Sequence, residues 1–263
     1  MTDLQPFSSL FDLTGKRIIV IGAGSGIGQA GAMALAGHGA EVLCADVSEE
    51  AADRAAADIV AGGGAATSGH VDIGDSASIN ALFDSFGHLD VLITTPAINV
   101  RKRLLEVTEE EIQRVLSLNL IGAFHAMTAA GRLMADSGGG SIVAISSIRS
   151  QVVEPGQGVY AATKAGVLQM VRTLAAELGP QGVRVNALAP GVVETPLTEQ
   201  IKNQPDWYEA YAAKGALGRW AQPIEMAGPI VFLASEASSF VTASLLVADG
   251  GWLAVDGRFT PPL

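Results

Sequence analysis

The sequence predicts an α/β fold: one domain over residues 1–263, built on a doubly wound parallel sheet of about seven strands with helices on both faces. Three observations predict it. Short, near-continuous apolar runs alternate with longer alanine-rich or amphipathic stretches, the pattern of doubly buried parallel strands and their crossover helices. Glycine and proline punctuate the alternation, at Gly62-Gly63-Gly64, Gly138-Gly139-Gly140 and Gly179-Pro180. The connections suit right-handed crossovers, and no repeat, linker or composition break marks a second domain.

Composition agrees and narrows the function. Of 263 residues, 49% are apolar and 16% charged, ample for a core. A formal net charge of -11 argues against nucleic-acid and anionic-membrane partners, which need clustered Lys and Arg. The lone cysteine, Cys44, lies in the apolar run Glu41–Ala45 and reads as a buried small hydrophobe. It can form no disulfide within the chain, which suits a reducing cytoplasm. Residues 1–14 lack a signal pattern, and no apolar run reaches the roughly 18 residues of a membrane span. The histidines, at 38, 70, 88 and 125, show no ligand spacing, so no metal is expected.

In chain order, Lys16–Ile21 is the first strand. It runs into Gly22-Ala23-Gly24-Ser25-Gly26-Ile27-Gly28 and then a helix to about His38. Strand, glycine turn and helix open a Rossmann unit: glycines admit a pyrophosphate to the backbone, and the helix N-terminus offers N–H groups and a positive dipole end. A plain glycine-rich turn is the alternative. Glu41–Ala45 is the second strand, and Asp46 at its end favours NAD over NADP. A carboxylate there accepts from the ribose and repels a 2′-phosphate, and the loop has no Lys or Arg to grip that phosphate. The alternative for Asp46 is an N-cap on the helix over about 48–61. A weak strand from Ala65 to Val71 precedes Asp72, which either accepts from an adenine amino group or caps the helix near Asp75.

Leu89–Ile93 is the fourth strand, and the turn Thr94–Asn99 sits at its carboxyl end, where open sheets bind ligands. Val100-Arg101-Lys102-Arg103 is the densest positive cluster: a grip for an anionic substrate, or a solvated loop. Thr108 and Glu111 form a capping box opening one long helix towards Met134. Asn119, amid leucines in that helix, must find partners for its amide. Ser141–Ser147 is the fifth strand. Thirteen residues after Ser147 comes Tyr160, and Lys164 lies four further on, sharing a face of the helix from about Gln157 to Leu178. A hydroxyl facing a phenol and an ammonium suits proton transfer. Val183–Leu188 is the sixth strand, broken by Pro190-Gly191. Residues 195–217, with Trp207, Tyr208 and Tyr211, read as a helical substrate lid. A helix over Pro223–Ala234, a strand over Leu245–Ala248 and a tail at 252–263 complete the chain.

With these residues placed, the chain from about Leu13 to Trp252 resembles the short-chain dehydrogenase/reductase family. The glycine turn at Gly22, Gly26 and Gly28, then Asp72, Asn119, Ser147, Tyr160 and Lys164, and finally Pro190-Gly191 and Thr195 carry the resemblance. Two departures stand out. Ile21 replaces a frequent threonine, and Thr94-Thr95-Pro96-Ala97 replaces an Asn-Asn-Ala-Gly turn; threonine hydroxyls can stand in for the amides, but Ala97 adopts positive φ less freely than glycine, so the sequence leaves open whether the family's turn geometry is kept.

The resemblance implies an NAD-dependent interconversion of a secondary alcohol and a ketone. It implies catalysis by Asn119, Ser147, Tyr160 and Lys164. It implies a cofactor site of Gly22, Ser25, Gly26, Ile27, Gly28, Asp46, Asp72, Ile73, Thr95, Ala97, Tyr160, Lys164, Pro190, Gly191, Val193 and Thr195. Free tyrosine, with a pKa of about 10, is a poor base near neutrality, and an adjacent ammonium favours its phenolate. Ser147 donates to the reacting oxygen. By resemblance, Lys164 also holds the nicotinamide ribose and Asn119 positions a relay water.

For the substrate, Arg101, Ser147, Arg149 and Tyr160 are the candidate contacts, because arginines read carboxylates through paired hydrogen bonds. The Asn99–Leu105 stretch resembles the sugar-acid branch of the family, which includes gluconate 5-dehydrogenases. A sugar, sugar acid or polyol is therefore expected, with 3-oxoacyl, steroid-like or xenobiotic alcohols as alternatives. A non-catalytic NAD-binding sensor is the competing class; a serine hydrolase would need a Gly-x-Ser-x-Gly elbow that is not present. The family further implies a homo-oligomer, a tetramer, with the tail reaching a neighbouring subunit.

Overall fold

The computed structural model describes residue 7 and residues 9–255. Seven strands form one sheet: β1 Arg17–Ile21, β2 Glu41–Asp46, β3 Ala65–His70, β4 Val91–Thr94, β5 Gly140–Ile145, β6 Val183–Pro190 and β7 Leu245–Ala248. All neighbours pair in parallel, in the order β3-β2-β1-β4-β5-β6-β7. The central strands are continuous apolar runs because helices cover both faces. Helices α1 Gly26–Gly37, α2 Glu49–Ala61, α3 Ser76–Phe86, α4 Glu109–Leu116, α5 Ala123–Ser137, α6 Gly158–Leu178, α7 Pro205–Lys214 and α8 Ala227–Ala234 follow in order. The side chains of α3, α5 and α6 pack in one core, and those of α1, α2 and α8 in the other. The doubly wound Rossmann fold expected from the sequence is the fold observed.

Local chemistry sets the helix starts. Ser48 accepts from Ala51 N at the head of α2, Asp75 from Ala77 N at the head of α3, and Thr108 and Glu111 close the capping box on α4. Among the described residues, no helix is long and apolar enough to cross a membrane.

Two differences from the sequence reading bear on the site. The expected long helix from Thr108 is three pieces, α4, a π-helical segment Ser117–Gly122 and α5, because the wider turn lets the buried Asn119 amide reach its partners. The sixth strand runs on through Pro190 rather than ending at Leu188. Pro190 lacks an N–H but is the last strand residue, and Gly191 N continues the ladder to Ala248 O at 3.0 Å. Of the tail, residues 256–263 lie outside the described residues.

The chain crosses from β3 at one edge to β4 beside β1, so the winding direction reverses between β1 and β4. Such a switch point opens a crevice at the strand carboxyl ends.

Candidate active site at the strand carboxyl ends

A cavity of about 400 Å³ occupies that crevice. Every residue assigned to the cofactor from sequence lines it, from Gly22 in the glycine turn through Asp46, Asp72, Ile73, Thr95 and Ala97 to Val193 and Thr195, together with Ser147.

The glycine turn can accept a close-lying group. Gly22 and Gly26 have φ of +84° and +54°, which other residues rarely adopt. A Cβ on Gly28 would stand 2.0 Å from Gly22 O. The turn is anchored from both sides: Gly22 N donates to Ala45 O at 2.8 Å, and Thr95 Oγ1 donates to Ile21 O at 3.0 Å. Thr95 thus ties the turn after β4 to the glycine turn. Ala97 needs no positive φ, since Ala243 is the one described non-glycine residue that has it.

Asp46 does not cap the following helix; Ser48 does. Its carboxylate is instead aimed by Gly24 N at 2.9 Å and Ser48 N at 3.0 Å. Likewise Asp75, not Asp72, caps α3, while Asp72 accepts from Gly74 N at 2.8 Å. Both acids stay on the cavity wall with acceptor capacity to spare.

Opposite, the end of β5 and the start of α6 assemble the remaining groups. Ser146 Oγ donates to Lys164 O at 3.1 Å and so pins α6 to the sheet. Its neighbour Ser147 accepts from Arg149 N at 3.1 Å, which leaves its own proton available. Lys164 is buried, its Nζ donates to Ile145 O at 2.7 Å, and it lies 5.6 Å from the Tyr160 ring centre. Burial pushes the Lys164 ammonium down to about 8. Burial pushes the Tyr160 phenol up, against hydrogen bonding from Ser147 and the positive fields of Arg101 and Arg149.

Asn119 does not line the cavity. Its Oδ1 accepts from Ile98 N at 2.8 Å, and its Nδ2 donates to Ile98 O at 2.8 Å and Thr163 Oγ1 at 3.3 Å. Both amide protons are committed to holding the turn after β4 against α6.

The two arginines differ. Arg149 is buried, ion-paired with Glu154, and 5.5 Å from the Trp252 ring. Arg101 lies 5.8 Å from the Trp207 ring, and its Nη1 is buried without a hydrogen-bond partner. Burial lowers its pKa, opposed by Tyr211, Glu154 and Tyr160. Lys102, between the two arginines of its cluster, pairs with Glu111 at 2.5 Å, so that part of the cluster is surface. Glu154, which the sequence sets with Arg149 in the loop expected to help select the substrate, takes Tyr211 Oη at 2.5 Å and Gln157 Nε2 at 2.9 Å as well as Arg149, partners that sequence reading missed. The only sequence signal was its place in the loop between Ser147 and Tyr160.

The family model described as enoyl-(acyl carrier protein) reductase matches residues 22–253. The 3-oxoacyl-[acyl-carrier-protein] reductase of Synechocystis is 37% identical over 245 residues, 91% of this chain and 97% of that one. Gluconate 5-dehydrogenase of Gluconobacter oxydans is 35% identical over 246 residues, covering 92% and 96%. A gluconate 5-dehydrogenase from Burkholderia cenocepacia, solved with NADP and tartrate, superposes with a TM-score of 0.91 at 32% identity, covering 94% and 98%. The chain belongs to the short-chain dehydrogenase/reductase family of oxidoreductases, near its gluconate 5-dehydrogenase branch.

Proposed function

We propose that the protein is an NAD-preferring dehydrogenase/reductase that interconverts a secondary alcohol and a ketone on a sugar, sugar acid or related polyol. The observation that carries this reading is the meeting of Ser147, Tyr160 and Lys164 with a glycine cradle and Asp46 in one cavity. The cradle fits a dinucleotide: Gly22 and Gly28 leave no room for Cβ atoms, Gly26 takes a positive φ, and the aimed Asp46 carboxylate suits a ribose diol. When bound there, the nicotinamide supplies the hydride acceptor or donor.

The chain's own residues manage the proton. Ser147 donates to the substrate oxygen, because Arg149 N already occupies one of its lone pairs. Tyr160 takes the hydroxyl proton in oxidation and returns it in reduction. Lys164, protonated below about pH 8, favours the phenolate by its charge. Asn119 acts at one remove by fixing Ile98, and any water it holds must use its main chain.

Arg101 is the substrate contact of choice for an anionic substrate. Its buried nitrogen lacks a partner, whereas Arg149 is already neutralised by Glu154. The tartrate in the Burkholderia structure, itself a hydroxy acid, supports an acidic ligand. That structure's NADP makes cofactor preference a direct test of Asp46. The Synechocystis relative supports a 3-oxoacyl thioester as the second reading.

The deciding experiment follows NAD(P)H absorbance with gluconate, neutral polyols and a 3-oxoacyl thioester, each with both cofactors and a Tyr160→Phe control. NAD-linked turnover of a sugar acid or polyol that is lost in the control is expected. Thioester turnover alone, or an undiminished control, overturns the reading. The family resemblance carries a cytoplasmic homotetramer as the setting; light scattering on the purified protein tests the tetramer.

A further inference from the structure

Helix α7 sends two side chains to the loops beside the catalytic residues, and two further ties, Tyr208 Oη to Glu194 at 2.8 Å and Trp220 Nε1 to Tyr208 O at 2.9 Å, also hold it. Trp207 and Tyr211 lie one turn apart on this helix, so they share a face. Tyr211 Oη sits 2.5 Å from both oxygens of Glu154. The Trp207 ring sits 5.8 Å from the Arg101 guanidinium. The two receiving groups are themselves connected. Glu154 accepts from Gln157 Nε2 at 2.9 Å, and Gln157 Oε1 accepts from Asn99 Nδ2 at 2.9 Å, two residues before Arg101.

Under this polar chain, Tyr211 packs with Ile148, Ile201, Trp220 and Trp252 in a small apolar cluster separate from the two main cores. A helix held by a minor cluster and a few polar contacts is the kind of element that opens locally. Two of those contacts are charge-assisted hydrogen bonds from a tyrosine hydroxyl to a carboxylate, Tyr208 on Glu194 at 2.8 Å and Tyr211 on Glu154 at 2.5 Å; the second is the shorter and the one that reaches the loop before Tyr160.

We propose that Glu154 is the clasp of a lid: a positioning residue that holds α7 closed through Tyr211 while the same helix, through Trp207, sets the Arg101 guanidinium. Closing the lid and presenting that cation are then one event. Opening removes Tyr211 from Glu154 and Trp207 from Arg101 together. Glu154 also pairs with Arg149, whereas Arg101, the other cation acting on Tyr160, has no ion pair among the described residues. Only the assignment of Arg101 to a substrate rests on the proposed function; the clasp does not.

The chain offers its own probe. All three tryptophans, Trp207, Trp220 and Trp252, belong to this cluster or pack against it, so tryptophan fluorescence reports on the lid. The test measures acrylamide quenching and amide hydrogen exchange of residues 205–214 in wild type, Glu154→Ala, Glu154→Gln and Tyr211→Phe, with no substrate added. Glu154→Ala and Tyr211→Phe should raise quenching and speed exchange over 205–214 by about fivefold, with β5 and β6 unchanged. Glu154→Gln, whose amide oxygen still accepts from Tyr211 but without the carboxylate's charge, should fall between wild type and Glu154→Ala. Unaltered exchange over 205–214 in Tyr211→Phe overturns the clasp, as does Glu154→Gln opening as far as Glu154→Ala. If the lid behaves as expected but no sugar acid or polyol is turned over, the clasp stands and the substrate reading falls.

Discussion

Replacing Lys164 with methionine should remove activity and change how stability varies with pH. Lys164 is 2% exposed, and burial alone takes its pKa from 10.5 to about 8. Between those values the unfolded chain holds the proton and the folded chain does not, so stability rises with pH across that window. Below about pH 8 both states are charged and the fold bears the whole burden of the buried ammonium; above 10.5 it bears none. At about 1.4 kcal/mol per pKa unit, the burden at pH 7 is ~3 kcal/mol. Methionine avoids it but leaves Ile145 O without its donor, a loss of ~1–3 kcal/mol. The variant should therefore match or exceed wild type at pH 7 by up to ~2 kcal/mol, and that advantage should fall by ~2–3 kcal/mol as pH approaches 10. Urea unfolding of both proteins from pH 7 to 10 measures this, and groups common to both cancel in the difference. A difference that stays constant with pH would refute the reasoning.

The other predictions concern the cofactor side and the turn after β4. Asp46→Ser should lower the NAD-over-NADP ratio of kcat/KM by at least about tenfold; an unchanged ratio means the carboxylate does not select. Gly28→Ala places a Cβ 2.0 Å from Gly22 O, so calorimetric titration with NADH should show no binding, and wild-type affinity would mean the turn yields easily. Asn119→Ala strands the N–H and C=O of Ile98 and should cost about 2–4 kcal/mol in chemical denaturation; a loss under about 1 kcal/mol would show water replacing the amide.

Much of the site was legible because its parts are local. The glycine turn, Asp46 and the Tyr160–Lys164 pair each sit at the end of one strand or start of one helix, where spacing alone fixes which face they share. Parallel winding then brings those ends to one side of the sheet. Other features depend on contacts that no spacing encodes. Arg149 and Arg101 look equivalent in sequence, and only folding of the 148–159 loop gives Glu154 to one and leaves the other Trp207. The π-helical segment escaped because six residues barely separate its period from that of an α-helix. Asp46 and Asp72 could each have been caps; the serine and aspartate that do cap were close enough in sequence to leave either possible. At Thr94–Ala97 the family turn is lost in residue type, yet a threonine hydroxyl reaches the same strand backbone that anchors the glycine turn.

The strand order has a consequence for synthesis. β1 is walled by β2 on one side and β4 on the other, and β4 begins only at Val91. A nascent chain made from the N-terminus can pair β1, β2 and β3 at once, but the far edge of Ile18–Ile21 stays open until Thr94 has left the ribosome. That edge belongs to one of the most apolar strands in the protein, with its backbone donors and acceptors unpaired, which invites a strand from another chain. The first three strands are thus complete as a sequence before they are safe as a structure. A fragment ending ahead of Val91 should aggregate on release rather than bind cofactor.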